Sequence, residues 1–460
     1  MSMWQLIKDS LRGKEQDYTK VDLKKGIILL AIPMILEMLM ESLFAIVDIL
    51  FVGRLGEHAV ATVGLTEAVI VLVYAVGMGI SMASTALISR RIGEKNYKEA
   101  GNAAFQLLSF GGLVSIILGL LGWFFAETLL RLMGAEDAVL QQGINYSKII
   151  FAGNTAIMLL FLLNGAFRGA GQPHLAMRAL WISNGLNIVL DPLLIFGLGS
   201  FEGFGLTGAA IATTLGRSIG VIYQLYHLLN GRHKLVILRE NLVVNVEVIK
   251  RIIRISMGGM GQFLIDSVAW IALTRMTAEF GSVAVAGFTI AFRIILFTLL
   301  PAWGLAGAAA TLVGQNLGGH KYRRAEISVW LTARYNVIFM GTVTVAYLLG
   351  GDLLVSFFSD LEEVQGLALQ GLRVIVLGYV FFAVGMVLTN AFNGAGDTKT
   401  PAWINIGVFW GIEIPLAYFL AFIMDMELLG LYISIAICHS LHAVVAFIIF
   451  RRGLWKTVKV

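Results

Sequence analysis

The run NGLNIVLDPLLIFGLG, residues 184–199, is almost wholly apolar, yet Asp191 stands in its middle with Pro192 directly after it. An ionised carboxylate at the centre of a bilayer costs about 2.5–3.5 kcal/mol on insertion scales. A proline removes a backbone donor and breaks the helical ladder where no water can repair it. Other charges stand in similar surroundings: Glu37, Glu41 and Asp48 in the first apolar run, Asp266 in GMGQFLIDSVAW, Arg293 in VAGFTIAFRI and Glu413 in GIEIPLAY. Acids at such a depth hold a proton, ligate a hard cation through oxygen, or attract a positively charged substrate. The helices offer no nucleophile–base pair and no metal cluster, and the chain has no P-loop. Neither an enzyme nor a machine driven directly by ATP is expected, and no cofactor is called for.

The elements that must position these residues are membrane helices. Of 460 residues, 58% are hydrophobic and 14% charged, whereas soluble domains carry about 25% charged residues. Windows of about 20 apolar residues predict twelve spans, near 26–52, 58–88, 100–124, 140–166, 174–197, 205–230, 250–278, 283–313, 325–350, 364–392, 400–423 and 428–450. The basic residues gather in the even-numbered loops, among them Arg90, Arg91, Arg168, Arg178, Arg254, Lys321 and Arg323, and in the two terminal segments. Glu136, Asp137, Glu202, Asp352, Asp360 and Glu427 make the odd-numbered loops acidic. The positive-inside rule then places both termini in the cytoplasm, and the protein is expected to be a multi-pass protein of the inner or plasma membrane. This bias accounts for the net charge of +5 and gives no reason to expect a nucleic-acid partner. The start, MSMWQLIKDSLRGKEQ, is too charged for a signal peptide and reads as a short amphipathic helix at the membrane surface.

The spans repeat. AVATVGL from Ala59 and AVAGFTI from Ala284 lie 225 residues apart, and the same offset joins Gly56 to Gly281, Gly79 to Gly304, Gly93 to Gly318, Tyr97 to Tyr322, AFRGAG to AFNGAG, and Glu41 to Asp266. Six helices per half is an even number, so both halves enter from one side. That is a parallel repeat about an axis along the membrane normal. The expected organisation is a cytoplasmic segment 1–25, an N-lobe 26–230, a linker 231–249, a C-lobe 250–450 and a tail 451–460. The fold class is an all-α integral membrane protein of two pseudo-symmetric six-helix lobes with a cleft between them.

The stretches VDILFVGRLGEHAVATVGL, ISRRIGEKNYKEAG, RGAGQPHLAM, NIVLDPLLIFGLG, GLTGAAIATTLG, VAGFTIAFRI, LVGQNLGG and NGAGDTKTP, in this order, resemble the multidrug and toxic compound extrusion (MATE) family of secondary transporters. The resemblance covers nearly the whole chain. It implies twelve helices in two lobes and export of organic cations driven by inward flow of H+ or Na+. The chain resembles the DinF-like and archaeal-type branch, which couples through its N-lobe. That branch sets an aspartate on the first helix against an Asn-x-x-x-Asp pair on the fifth and a threonine on the sixth. Here those are Asp48, Asn187, Asp191 and Thr213. Asn187 and Asp191 are i and i+4 and share a helix face. Two carboxylates in a low-dielectric pocket cannot both be ionised cheaply, so such a pair is expected to titrate as a unit and hold a proton. The same oxygens would equally ligate Na+. Pro192 is expected to break the fifth helix and let its end bend. The offset carries Asp48 to Leu273, so this carboxylate site belongs to the first half alone.

In other branches of the family an acid at the place of Asp266 serves coupling or substrate binding, usually with a further acid on the tenth helix. Ala383 stands there in this chain, so Asp266 is expected to bind the substrate's charge rather than to couple. Glu37 and Glu41 are i and i+4, with Asp48 seven residues on, and form an acidic stripe suited to cationic substrates. Met257 and Met260, with Met34 and Met38, are candidates to line an adaptable site. Arg293 and Glu413 are expected to pair across the C-lobe. The expected partners are cationic or amphiphilic small molecules and the lipid bilayer, with a monomer as the family's usual state. The competing reading is a flippase for lipid-linked oligosaccharides, whose cleft would need basic residues for a pyrophosphate.

Overall fold

The computed structural model describes residues 3–460. A short helix, α1 (Met3–Arg12), precedes twelve long helical passes. Six make the N-lobe: α2 (Leu23–Gly53), α3 (Glu57–Gly93), α4 (Tyr97–Leu132), α5 (Asp137–Gly169), α6 (Pro173–Phe196) and α7 (Leu206–Leu229). The C-lobe holds α8 (Val246–Ala278), α9 (Ser282–Gly318) and α10 (Tyr322–Ser356). Its fourth pass joins α11 (Glu362–Ile375) to α12 (Tyr379–Ala395) through a 3-10 turn. The fifth, Lys399–Ile423, is built from α13 (Lys399–Asn405), α14 (Ile414–Tyr418) and two π-helical stretches, and α15 (Glu427–Arg451) closes the bundle. Each predicted window overlaps one pass.

Ten passes are long and apolar enough to cross a bilayer by length and composition. The other two, α7 and α8, are less apolar because Arg217 stands in one and Gln262 and Asp266 in the other. With 24 and 33 residues at about 1.5 Å each, they still exceed a hydrocarbon core of about 30 Å. Helix starts are marked by caps. The side chains of Asp22, Asn96 and Asn245 accept from backbone N–H groups of the first turns of α2, α4 and α8. Gly56 and Gly281, 225 residues apart, begin α3 and α9 with φ of 101° and 89°, a conformation that disfavours side chains.

Both chain ends lie at one end of the bundle, the terminal end, and here the lobes meet. The contact obeys the repeat. A Cβ at Gly93 would collide with the carbonyl of Gln315, and one at Gly318, its counterpart, would collide with the carbonyl of Arg90. Gly79 is pressed against α8 at Ser256 and Met260, and its counterpart Gly304 against α2 at Met34. Backbones approach this closely only where side chains are absent. The hydrogen bonds across the lobes end on backbone carbonyls: Thr311 Oγ1 donates to Arg168 O at 2.9 Å, Gln315 Nε2 to Gly169 O at 2.9 Å and Arg90 to Ala395 O at 3.5 Å. These acceptors are the last carbonyls of α5 and α12, which have no partner within their own helix. Toward the far end no hydrogen bond joins the lobes among the described residues, and a cleft opens between them.

Two expectations are revised. Helix α6 does not break at Pro192 but runs on to Phe196. The missing donor removes one ladder bond, while α7 packs so closely beyond it, at Gly208 against the carbonyl of Leu194, that the last turns are held in place. In the C-lobe the irregularity is larger, because Pro415 follows the π-helical stretch Ile406–Glu413. The segment read as a surface helix forms α1, but it also docks on the protein: Ser10 Oγ donates to Leu29 O at 3.0 Å, and Arg178 to Leu11 O at 2.6 Å. Trp4, the exposed large hydrophobic residue of α1, is 73% exposed.

Candidate functional site

Asp48 on α2, Asp191 on α6 and Thr213 on α7 each lie within about two turns of the far end of their helices. The acids therefore sit in the far half of the membrane rather than at its centre. The i, i+4 spacing of Asn187 and Asp191 does what the sequence suggests. Nδ2 of Asn187 donates to Asp191 Oδ1 at 3.3 Å and to Thr213 Oγ1 at 3.1 Å. With its amide nitrogen turned to these partners, Asn187 presents Oδ1 elsewhere. That atom and Asp191 Oδ2 are both buried without a hydrogen-bond partner. Asp191 itself is 0% exposed. A buried acceptor left unpaired costs roughly 1–3 kcal/mol, more if charged, so the pocket is short of something that donates or coordinates. Asp48 is half-buried and lies within electrostatic reach of Asp191. Asp191, the Asn187 amide and the Thr213 hydroxyl are joined, with the Asp48 carboxylate in electrostatic reach, and no permanent positive charge is bonded to any of them. This set accepts a proton, or offers Na+ the hard oxygen donors it takes.

Glu37 and Glu41 depart from the free acidic stripe that the sequence suggests. Glu37, 1% exposed, pairs with Arg168 at 3.4 Å, and Glu41 pairs with Arg217 at 2.8 Å while accepting from Asn184 at 3.0 Å. Both acids are thereby neutralised within the N-lobe. Arg217 was not weighed from the sequence, although it is a lone cation in an apolar helix, the same signal that drew attention to Asp191. Its guanidinium also lies 5.0 Å from the centre of the Phe44 ring and within electrostatic reach of Asp48. Arg168 and Arg217 are thus both paired with acids inside the N-lobe, and so are not free to hold a pyrophosphate. Glu67 on α3 was missed for the same reason. It is an exposed acid in the apolar run LTEAVIVLV, within electrostatic reach of Asp48.

In the C-lobe, Asp266 is exposed to the cleft and accepts from Asn405 Nδ2 through Oδ1 at 2.8 Å. Glu413 is buried within electrostatic reach of Asp266. The pairing of Arg293 with Glu413 does not form. Arg293 is exposed, whereas Glu413 is buried, and no ion pair joins Arg293 to an acid among the described residues. Met34 is buried at the lobe contact against Gly304 and Gly307, and Met260 packs on Gly79. Met257 is 65% exposed near the terminal end of α8. Of these, Met260 is half-buried and lies six residues before Asp266 on α8.

The chain matches the MatE family profile over residues 33–193 and 260–419, one match in each lobe. The probable multidrug resistance protein YoeA of Bacillus subtilis is 25% identical over 427 residues, 91% of each chain. The probable multidrug resistance protein NorM of Thermotoga maritima is 26% identical over 440 residues, 95% of this chain and 94% of that one. A solved structure of a multidrug resistance MATE family transporter of the MOP superfamily, in an outward-facing conformation, superposes with a TM-score of 0.88 at 27% identity, covering 97% of this chain and 99% of the other.

Proposed function

The chain belongs to the MATE family of membrane transporters, and on that premise we propose that it is an efflux antiporter, exporting cationic or amphiphilic small molecules in exchange for H+ or Na+. The observation that carries this reading is the N-lobe pocket. Asp191 Oδ2 and Asn187 Oδ1 are buried and unpaired beside Asp48, and no cation is bonded to them. The multidrug names of the relatives support the substrate class.

The positive-inside pattern gives the polarity: both termini, and the end where the lobes meet, face the cytoplasm. The cleft then opens outward. From this side a proton or Na+ enters the Asp48–Asp191 pocket and satisfies its spare oxygens, while the exported cation leaves past Asp266 and Glu67. When the lobes part on the cytoplasmic side, the ion is released into a compartment where it is scarcer. The emptied carboxylates and Asp266 then favour a new cation. Coupling requires that the two ligands bind unequally to the two states, because a ligand with equal affinity for both shifts nothing.

The deciding experiment is transport of a fluorescent organic cation into proteoliposomes under an imposed pH gradient or an imposed Na+ gradient. Wild type should respond to at least one, and the productive gradient names the ion. Asp191→Asn should fold and bind the cation but lose gradient-driven movement, at least a hundredfold in rate. Full drive in this variant would remove the N-lobe pocket from the mechanism.

A further inference from the structure

The repeat places His442 on α15 where the N-lobe has Arg217, and Asp266 where it has Glu41, both 225 residues later. The N-lobe pair is a fixed salt bridge, 2.8 Å long, joined by Asn184. In the C-lobe Asn405 stands between the two groups. Its Nδ2 donates to Asp266 at 2.8 Å, so its Oδ1 faces His442 Nε2, 3.1 Å away. A carbonyl oxygen only accepts, so Nε2 carries the hydrogen and the basic lone pair is at Nδ1. That Nδ1 is buried and has no hydrogen-bond partner, in a residue 4% exposed. It faces α12 at Gly385, where an added Cβ would stand 3.0 Å from it. The imidazole stacks on Phe409, 5.5 Å between centroids and 6° from parallel, an arrangement that tolerates a positive ring.

We infer that the C-lobe is a proton-operated copy of the N-lobe ion pair: a proton taken up at Nδ1 of His442 weakens the hold of Asp266 on an organic cation. The proton is delivered as hydronium from bulk solvent, which returns to water, and it forms one N–H bond at Nδ1. The imidazolium then lies one amide away from Asp266, as its counter-ion, and the substrate loses the carboxylate's field. In a low dielectric such a charge acts strongly over this range. When His442 is neutral, Asp266 has Oδ1 held by Asn405 and its other oxygen turned to the cleft, ready for a cation. The other titratable groups around the ring are Glu413 in the fifth pass, within reach of Asp266, and Cys438 and His439 on α15, the latter packed on Phe382 and Phe409. From α12, Gly385 faces Nδ1.

This rests on the reading of Asp266 as a substrate counter-ion, and the test separates the two. Binding of tetraphenylphosphonium to the full-length protein in nanodiscs is measured from pH 5 to 9. The background carries Asp48→Asn, Asp191→Asn and Glu67→Gln, so that the unpaired N-lobe carboxylates do not titrate. Exchange of one proton for one cation changes the dissociation constant by about tenfold per pH unit below the histidine's titration, with weaker binding on the acid side. His442→Gln and His442→Asn should bind tightly at every pH with no slope. His442→Arg, which restores the N-lobe arrangement, should bind at least tenfold more weakly throughout. A slope unchanged in both neutral variants, with Asp266→Asn abolishing binding, would overturn the role of His442 and leave Asp266 in place. Binding unaffected by Asp266→Asn would overturn both.

Discussion

At the scale of single residues the N-lobe separates two kinds of buried acid. Glu41 has a permanent partner, whereas Asp191 has none. Arg217 is 8% exposed, and removing one member of a buried ion pair costs about 3–5 kcal/mol, because the survivor is left uncompensated. Arg217→Leu is therefore expected to lower the melting temperature of the purified protein. Adding Glu41→Gln should recover most of the loss, a coupling that a double-mutant cycle on thermal unfolding would measure. A Glu41→Gln, Arg217→Leu double variant that is no more stable than Arg217→Leu alone would contradict the pairing. Glu67→Gln should instead leave stability unchanged and weaken organic-cation affinity several-fold, read by equilibrium binding. The bond between Asn187 and Asp191 was legible in the sequence, since it needs only i, i+4 spacing on one helix. The partners of Glu37 and Glu41 were not, because which helices face one another is set by packing rather than by spacing within one segment.

At the scale of elements the repeat offset foretold which glycines correspond, but not what they touch. Gly93 and Gly318 turn out to be where each lobe's backbone presses directly on a backbone carbonyl of the other, at Gln315 and at Arg90. Gly93→Val is expected to force the terminal end apart. Overpacking costs about 1–3 kcal/mol, enough to raise the parted population roughly tenfold. Spin labels at Tyr97 and Tyr322, both exposed and both first residues of their helices, would report this as growth of a longer distance. An unchanged distance distribution would show that this contact does not hold the lobes together. Pro192→Ala returns a donor to α6. The helix is already continuous there, so the fold should persist, and any effect should fall on the rate of exchange rather than on cation affinity. The proline's position could be read from the chain. That α6 passes through it could not, since this depends on α7 closing against Leu194.

At the scale of the whole molecule, the charge pattern predicts the polarity. Cysteines introduced at Arg323 and at Glu136, in a Cys438→Ser background, should be labelled by a membrane-impermeant maleimide from opposite sides of an intact cell, Arg323 only after the membrane is opened. The twelve passes and their two-lobe repeat were visible in hydropathy and in one offset, and α7 and α8 gave the weakest signal because they carry polar groups within the bundle. The seam between the lobes has a further consequence. Its hydrogen bonds run from Thr311, Gln315 and Arg90 to helix-end carbonyls, and such acceptors are as well served by solvent. Parting the lobes there exchanges these bonds for water at little net loss, since each is worth only about 0.5–1.5 kcal/mol. Opening is then an act of hydration. Solutes excluded from the seam, such as sucrose, should favour the sealed state in proportion to the water it would otherwise admit, and osmotic pressure becomes an effector of the transport cycle.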